Sequence, residues 1–86
     1  MLRWKTFNEW KRDATIFLIS LYDKYRERGS VTADITFLIY KLKELRARDL
    51  SSFLIQLHLI REKHGLHELR EIIPLPEEMK AWSEHE

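Results

Sequence analysis

Apolar residues recur at steps of three and four along the first third of the chain. Trp4, Phe7, Ala14, Leu18, Leu21 and Tyr25 follow that spacing, with Lys11 in a polar seam position. Such steps keep side chains on one stripe of an α-helix, so residues 3–27 are predicted to form the first helix. Gly29 can take the left-handed conformation that ends it, after a basic last turn of Lys24, Arg26 and Arg28. Ser30 or Thr32 can then cap a second helix, with Asp34 in its first turn. Its stripe is Val31, Ile35, Leu38, Leu42 and Leu45, and the same steps carried further land on Asp49 and Ser52. Those two suit a cap better than a core, so a break is expected near residues 48–50, with Asp49 or Ser51 as the new N-cap. One continuous helix over 33–64 is the alternative.

The third helix would bury Leu50, Phe53, Leu54, Leu57 and Ile60 and stop at His64-Gly65-Leu66, with Gly65 left-handed and Leu66 folded back. A short helix over roughly 67–73 would place Leu69, Ile72 and Ile73 on one side before Pro74 ends it. Pro76 suits the first position of a last helical turn or two, which Met79 and Trp82 would dock, with residues 83–86 frayed. These elements make one all-α domain over residues 1–86: a small antiparallel bundle of three main helices plus short C-terminal helical segments. A 25-residue helix is about 37 Å long, against a radius of gyration near 12 Å for a compact chain of this length, so the bundle should be elongated.

Some apolar residues fall outside a single stripe. ATIFLISLY over 14–22, ITFLIY over 35–40 and FLIQLHLI over 53–60 are apolar almost all round. A helix of that kind is covered on several sides, and three helices of one short chain cannot each be enclosed by the other two. Ile16, Ile19, Phe37, Ile39, Ile55 and Leu59 therefore call for a cover: residues 66–82 folding back, a second copy of the chain, or another protein. Trp4, Phe7 and Trp10, at i, i+3 and i+6, read as core or end packing, with partner anchoring as the other reading, since Trp dominates interface hot spots.

Charge refines this picture. Residues 1–63 carry thirteen Lys and Arg against eight Asp and Glu, a net of +5, and residues 64–86 carry two against six, a net of −4. The cations cluster as Lys24, Arg26, Arg28, as Lys41, Lys43, Arg46, Arg48, and as Arg61, Lys63. An antiparallel bundle would gather Arg26, Arg28, Arg61 and Lys63 at one pole and set the 41–48 cluster opposite, near Arg3 and Lys5. Clustered cations bind phosphates by releasing condensed counterions, so nucleic-acid binding through Lys41, Lys43, Arg46 and Arg48, with Arg26 and Arg28, is the alternative function. Against it, the clusters sit in last helical turns, where cations complement the helix dipole, and Glu27, Glu44 and Glu62 dilute them.

Chemistry is sparse. The 86 residues hold no cysteine and two glycines, which excludes thiolate metal sites, disulfides, a cysteine nucleophile and a glycine-rich phosphate loop. His58 and Glu62 share a helix face, but His64 and His67 straddle Gly65, so a four-ligand metal site lacks a frame. The carboxylates are spread rather than paired. The N-terminus lacks an apolar signal core, and no run reaches the ~20 residues of a membrane span. The sequence-based expectation is a non-enzymatic cytoplasmic protein, without cofactor, metal or small-molecule substrate, that acts by protein–protein contact as an adaptor or regulator and is homodimeric.

Overall fold

The computed structural model describes residues 3–84. Among them are four α-helices and no strand: α1 (Phe7–Lys24), α2 (Gly29–Lys43), α3 (Leu50–His64) and α4 (Pro76–Glu84), with 3-10 segments at Ala47–Asp49 and His67–Ile72. The all-α expectation holds, with several boundaries moved.

α1 begins at Phe7 rather than at residue 3 because Thr6 and Glu9 form a capping arrangement. Thr6 Oγ1 accepts from the Glu9 N–H at 3.1 Å, and Glu9 Oε2 accepts from the Lys5 N–H at 2.9 Å. Residues 3–6 run outside the helix. At its other end the turn closes with the Arg28 N–H on the Tyr25 carbonyl at 2.9 Å. That turn needs no left-handed residue, so Gly29 is not the expected cap and instead opens α2. Neither Ser30 nor Thr32 caps α2. Arg28 occupies the N-cap without a side-chain bond, and Thr32 Oγ1 donates to the Gly29 carbonyl at 3.1 Å. Asp34 lies beyond the first turn and accepts from α3 instead.

The break between α2 and α3 is real, which removes the continuous-helix alternative. Asp49 is the N-cap residue, but it makes no side-chain capping bond; its N–H closes a 3-10 turn onto the Arg46 carbonyl at 2.9 Å. Gly65, at φ 67°, ends α3 as expected. The Leu66 N–H reaches back to the Arg61 carbonyl at 3.0 Å and its side chain is buried. Pro76 opens α4, whose last residues include Ser83 and Glu84, so those two are helical rather than frayed; residues 85–86 lie outside the described residues.

α2 packs against both α1 and α3, His67–Ile72 touches α1 and α3 as well, and α4 packs on Ala47–Asp49. The pairs are antiparallel: Lys11 near the start of α1 meets the Leu45 carbonyl just beyond α2, and Lys63 at the end of α3 meets Asp34 near the start of α2. The molecule measures 40 × 24 × 20 Å with a radius of gyration of 12.7 Å. One stripe of each helix, including Ala14, Leu18, Ile35, Leu38, Leu42 and Leu57, is wholly buried.

The two ends of the chain close the core together. Arg3 donates to the Glu71 and Ile73 carbonyls at 2.8 and 2.7 Å. Trp10 Nε1 donates to the Ile72 carbonyl at 2.7 Å, and Trp82 Nε1 to the Lys5 carbonyl at 3.3 Å. Glu78, fully buried, accepts from the Trp4 N–H at 2.7 Å and the Leu75 N–H at 2.9 Å. Trp10 stacks on Phe7 at 5.6 Å and meets Phe53 and Trp82, each at 6.0 Å between ring centroids.

Candidate functional site

Residues 66–82 do fold back, but along α1 from Tyr25 at its end, which bonds Glu68, to the Trp4, Phe7 and Trp10 cluster at its start, and not over the apolar runs. Ile16, Ile19, Phe37, Ile55 and Leu59 remain exposed, together with Tyr40 and Tyr22. Their placement follows from helix geometry. Ile16 and Ile19 lie two residues from buried Leu18 and Leu21, Phe37 and Tyr40 two from Ile35 and Leu38, and Ile55 and Leu59 two from Leu57. A step of two residues turns a side chain about 200° round the helix, so each of these points away from the core. Ile16 is 58% exposed and Tyr40 69%; Tyr40 and Tyr22 were not singled out by the sequence, although Tyr40 closes the ITFLIY run.

Four of the expected contact residues are elsewhere. Trp4 and Trp10 are buried, and Phe7 is half-buried in the same aromatic cluster, so these three are core and end packing rather than partner anchors. Ile39 is half-buried against the core, because it lies one turn from Ile35 on the inward side of α2.

The basic pole expected from Arg26, Arg28, Arg61 and Lys63 is largely neutralised. Arg26 pairs with Asp23, Arg61 with Glu62 at 3.5 Å, and Lys63 with Asp34 at 3.1 Å, while Arg28 lies over the Tyr25 ring. His64 Nε2 lies 2.6 Å from the same Asp34 oxygen, and an ionised carboxylate can only accept, so the ring donates. The bonds from His64, then Lys63, hold Asp34 below its ordinary pKa against the opposing effect of burial. Nearby, Glu68 accepts from Lys24 Nζ and from the Tyr25 hydroxyl, each at 2.8 Å. These bonds, Lys24 first, lower its pKa to about 2.

The 41–48 cluster lies at the other end of α2 and differs in kind. Among the described residues, Lys41, Lys43 and Arg46 have no carboxylate partner; Lys41 rests 5.6 Å over the Phe37 ring. Arg48 is engaged by another group. Arg3 is committed to two backbone carbonyls and does not extend the cluster.

Lys41 and Lys43 border a groove of about 750 Å³ between α2 and α3. Phe37, Tyr40, Leu45 and Phe53 supply its apolar wall, and Glu44, Asp49, Ser52 and Gln56 complete the lining. Sequence reading named Phe37 and the lysines but not the acidic side, because Glu44 read as a dilution of the cations and Asp49 as a cap. His58 contacts Arg61 through Nδ1 at 3.1 Å. Among the described residues no three His, Asp or Glu side chains are grouped to hold a metal ion, and no helix is long and apolar enough to cross a membrane. Compared with family models, curated proteins and solved structures, the chain matches none.

Proposed function

We propose that this protein acts by protein–protein contact, as an adaptor or regulator, and that its partner is a second copy of itself. The supporting observation is the set of bare apolar side chains on the outer faces of α1, α2 and α3. Seven large side chains, each leaving on the order of 100 Å² in water, amount to roughly 700 Å², near the ~800 Å² per partner of a standard interface. Contiguous apolar patches larger than a few hundred Å² mark interaction sites, and two-fold dimers are the commonest oligomers. Light scattering across a tenfold concentration range tests this. A mass near twice 10.5 kDa is the expected result, and 10.5 kDa at every concentration overturns it.

A second reading, nucleic-acid binding, is favoured by the cations at Lys41, Lys43 and Arg46, which no carboxylate neutralises among the described residues. It requires duplex affinity that falls steeply with salt, and Lys43→Ala and Arg46→Ala should each flatten that slope by about one unit. Unchanged slopes in both variants remove this reading.

A further inference from the structure

We infer that the second copy docks at the α2–α3 groove about a two-fold axis, the cations of one rim facing the carboxylates of the other. The inference rests on the self-association proposed above and assigns it a place. The rim carries two ammonium groups, Lys41 and Lys43, and two carboxylates, Glu44 and Asp49. Among the described residues none of the four forms an ion pair. Lys41, in the last turn of α2, and Glu44, its C-cap residue, are three apart, a spacing that pairs opposite charges on a helix, yet Lys41 turns onto the Phe37 ring instead. The opposite pole is arranged differently, with Lys24, Arg26 and Lys63 each paired to a carboxylate of this chain.

A two-fold interface must be self-complementary, since the same patch meets itself. Equal numbers of both signs around one aromatic wall meet that condition. They suit a polyanion poorly, because each phosphate drawn to a lysine would also approach Glu44 or Asp49. Shape agrees: α2 is a 15-residue helix, about 22 Å long, with Phe37 and Tyr40 exposed on its outer face. The Lys63–Asp34 contact puts Leu59 level with Phe37 in the antiparallel pair, which extends the apolar strip beside the groove.

The test is a charge swap read by dimer dissociation in light scattering or sedimentation equilibrium. Lys41→Glu and Glu44→Lys should each weaken the wild-type dimer about tenfold or more, since a two-fold axis counts each change twice and like charges then face one another. The double variant K41E/E44K should return close to the wild-type value, and an equimolar mixture of the single variants should form a mixed dimer. Both side chains are exposed, so circular dichroism should show unchanged helicity; Tyr40→Ser gives an uncharged route to the same loss. Dimers insensitive to both reversals, or a double variant no tighter than the singles, overturn the inference. If Ile19→Glu abolishes association while the reversals do not, self-association stands and the groove is the wrong place. A wild-type chain that stays monomeric overturns both. So does a monomer whose Lys41 and Lys43 amide signals shift on adding a short DNA duplex, which gives the groove to a polyanion.

Discussion

Replacing Glu78 with alanine removes the acceptor on which both ends of the chain converge. Its carboxylate is fully buried and takes the Trp4 N–H on one oxygen and the Leu75 N–H on the other. The second bond closes the first turn of α4, with Pro76 at the first helical position and Glu78 two residues later. The first bond ties residues 3–6 to that turn. A hydrogen bond to a charged group contributes ~1.5–3 kcal/mol, and a buried donor left without a partner costs ~1–3 kcal/mol. The Trp4 N–H is enclosed, whereas the Leu75 N–H is only partly so and can recover water. The expected loss is therefore about 3–4 kcal/mol, a large share of the 5–15 kcal/mol that holds a typical domain together. For a domain of this size that is a fall in Tm of about 15–25 °C. Glu78→Gln keeps one acceptor but turns an amide N–H toward a backbone N–H, so about half the loss is expected. Urea titration followed by tryptophan fluorescence reads this directly, since Trp4, Trp10 and Trp82 all lie in the closing region. A loss below about 0.5 kcal/mol, the scale of an ordinary surface change, would show that the two ends are held by packing alone.

Two further outcomes follow from local geometry and charge. Glu68, ordinarily near 4.5, titrates at about 2 in the folded chain because Lys24 and Tyr25 donate to it. A carboxylate lowered on folding stabilises above its unfolded pKa and loses that contribution as pH falls toward the folded value, so the stability gap between wild type and Glu68→Gln should close between pH 4.5 and about 2. A gap constant with pH, followed by thermal melts, refutes the pairing. The two glycines should respond oppositely to alanine. Gly65→Ala, at φ 67°, should cost ~1–2 kcal/mol of left-handed strain, whereas Gly29→Ala, with open space around its Cβ position and an ordinary helical start, should be neutral or gain roughly 0.5 kcal/mol. Shifts of the same sign in both melts would contradict this.

Periodicity was most legible where one stripe alone could be buried. Val31, Ile35, Leu38 and Leu42 are buried as their spacing requires, and the drift of that stripe onto Asp49 and Ser52 marks the real break. Gly65 and Pro76 were readable because their backbone preferences act locally. The structure departs from the periodicity where a local bond competes with it. Thr6-x-x-Glu9 is a capping signature, and it starts α1 one turn later than the apolar stripe alone implies. The Tyr25–Arg28 turn closes the end of α1 without a left-handed residue, which leaves Gly29 free to open α2. Long-range closure was out of reach for another reason. Glu78 and Trp4 are separated by 74 positions, and no spacing rule connects a buried carboxylate to a backbone N–H across the whole chain. The groove was half legible: its lysines and Phe37 formed visible patterns, but the role of Glu44 and Asp49 depends on what fails to pair with them in three dimensions.

Closure and presentation are carried by different residues, and this separation can be measured. The core is sealed by contacts between distant parts of the chain, Trp10 with Ile72, Arg3 with Ile73 and Trp4 with Glu78, none of which involves Tyr40 or Leu59. Those two side chains keep more than half their surface in water, so folding recovers little of their hydrophobic free energy. Tyr40→Ser and Leu59→Ser should therefore change stability by no more than about 0.5 kcal/mol when melts are run dilute enough that the chain is monomeric. At concentrations where it associates, the same variants should lower the apparent Tm, because loss of a partner that binds only the folded state removes its mass-action stabilisation. Glu78 variants should show the reverse pattern, a large loss that is the same at every dilution. If the Tyr40 and Leu59 variants cost more than about 1 kcal/mol in the monomer, the outer faces belong to the fold and their exposure says nothing about a partner.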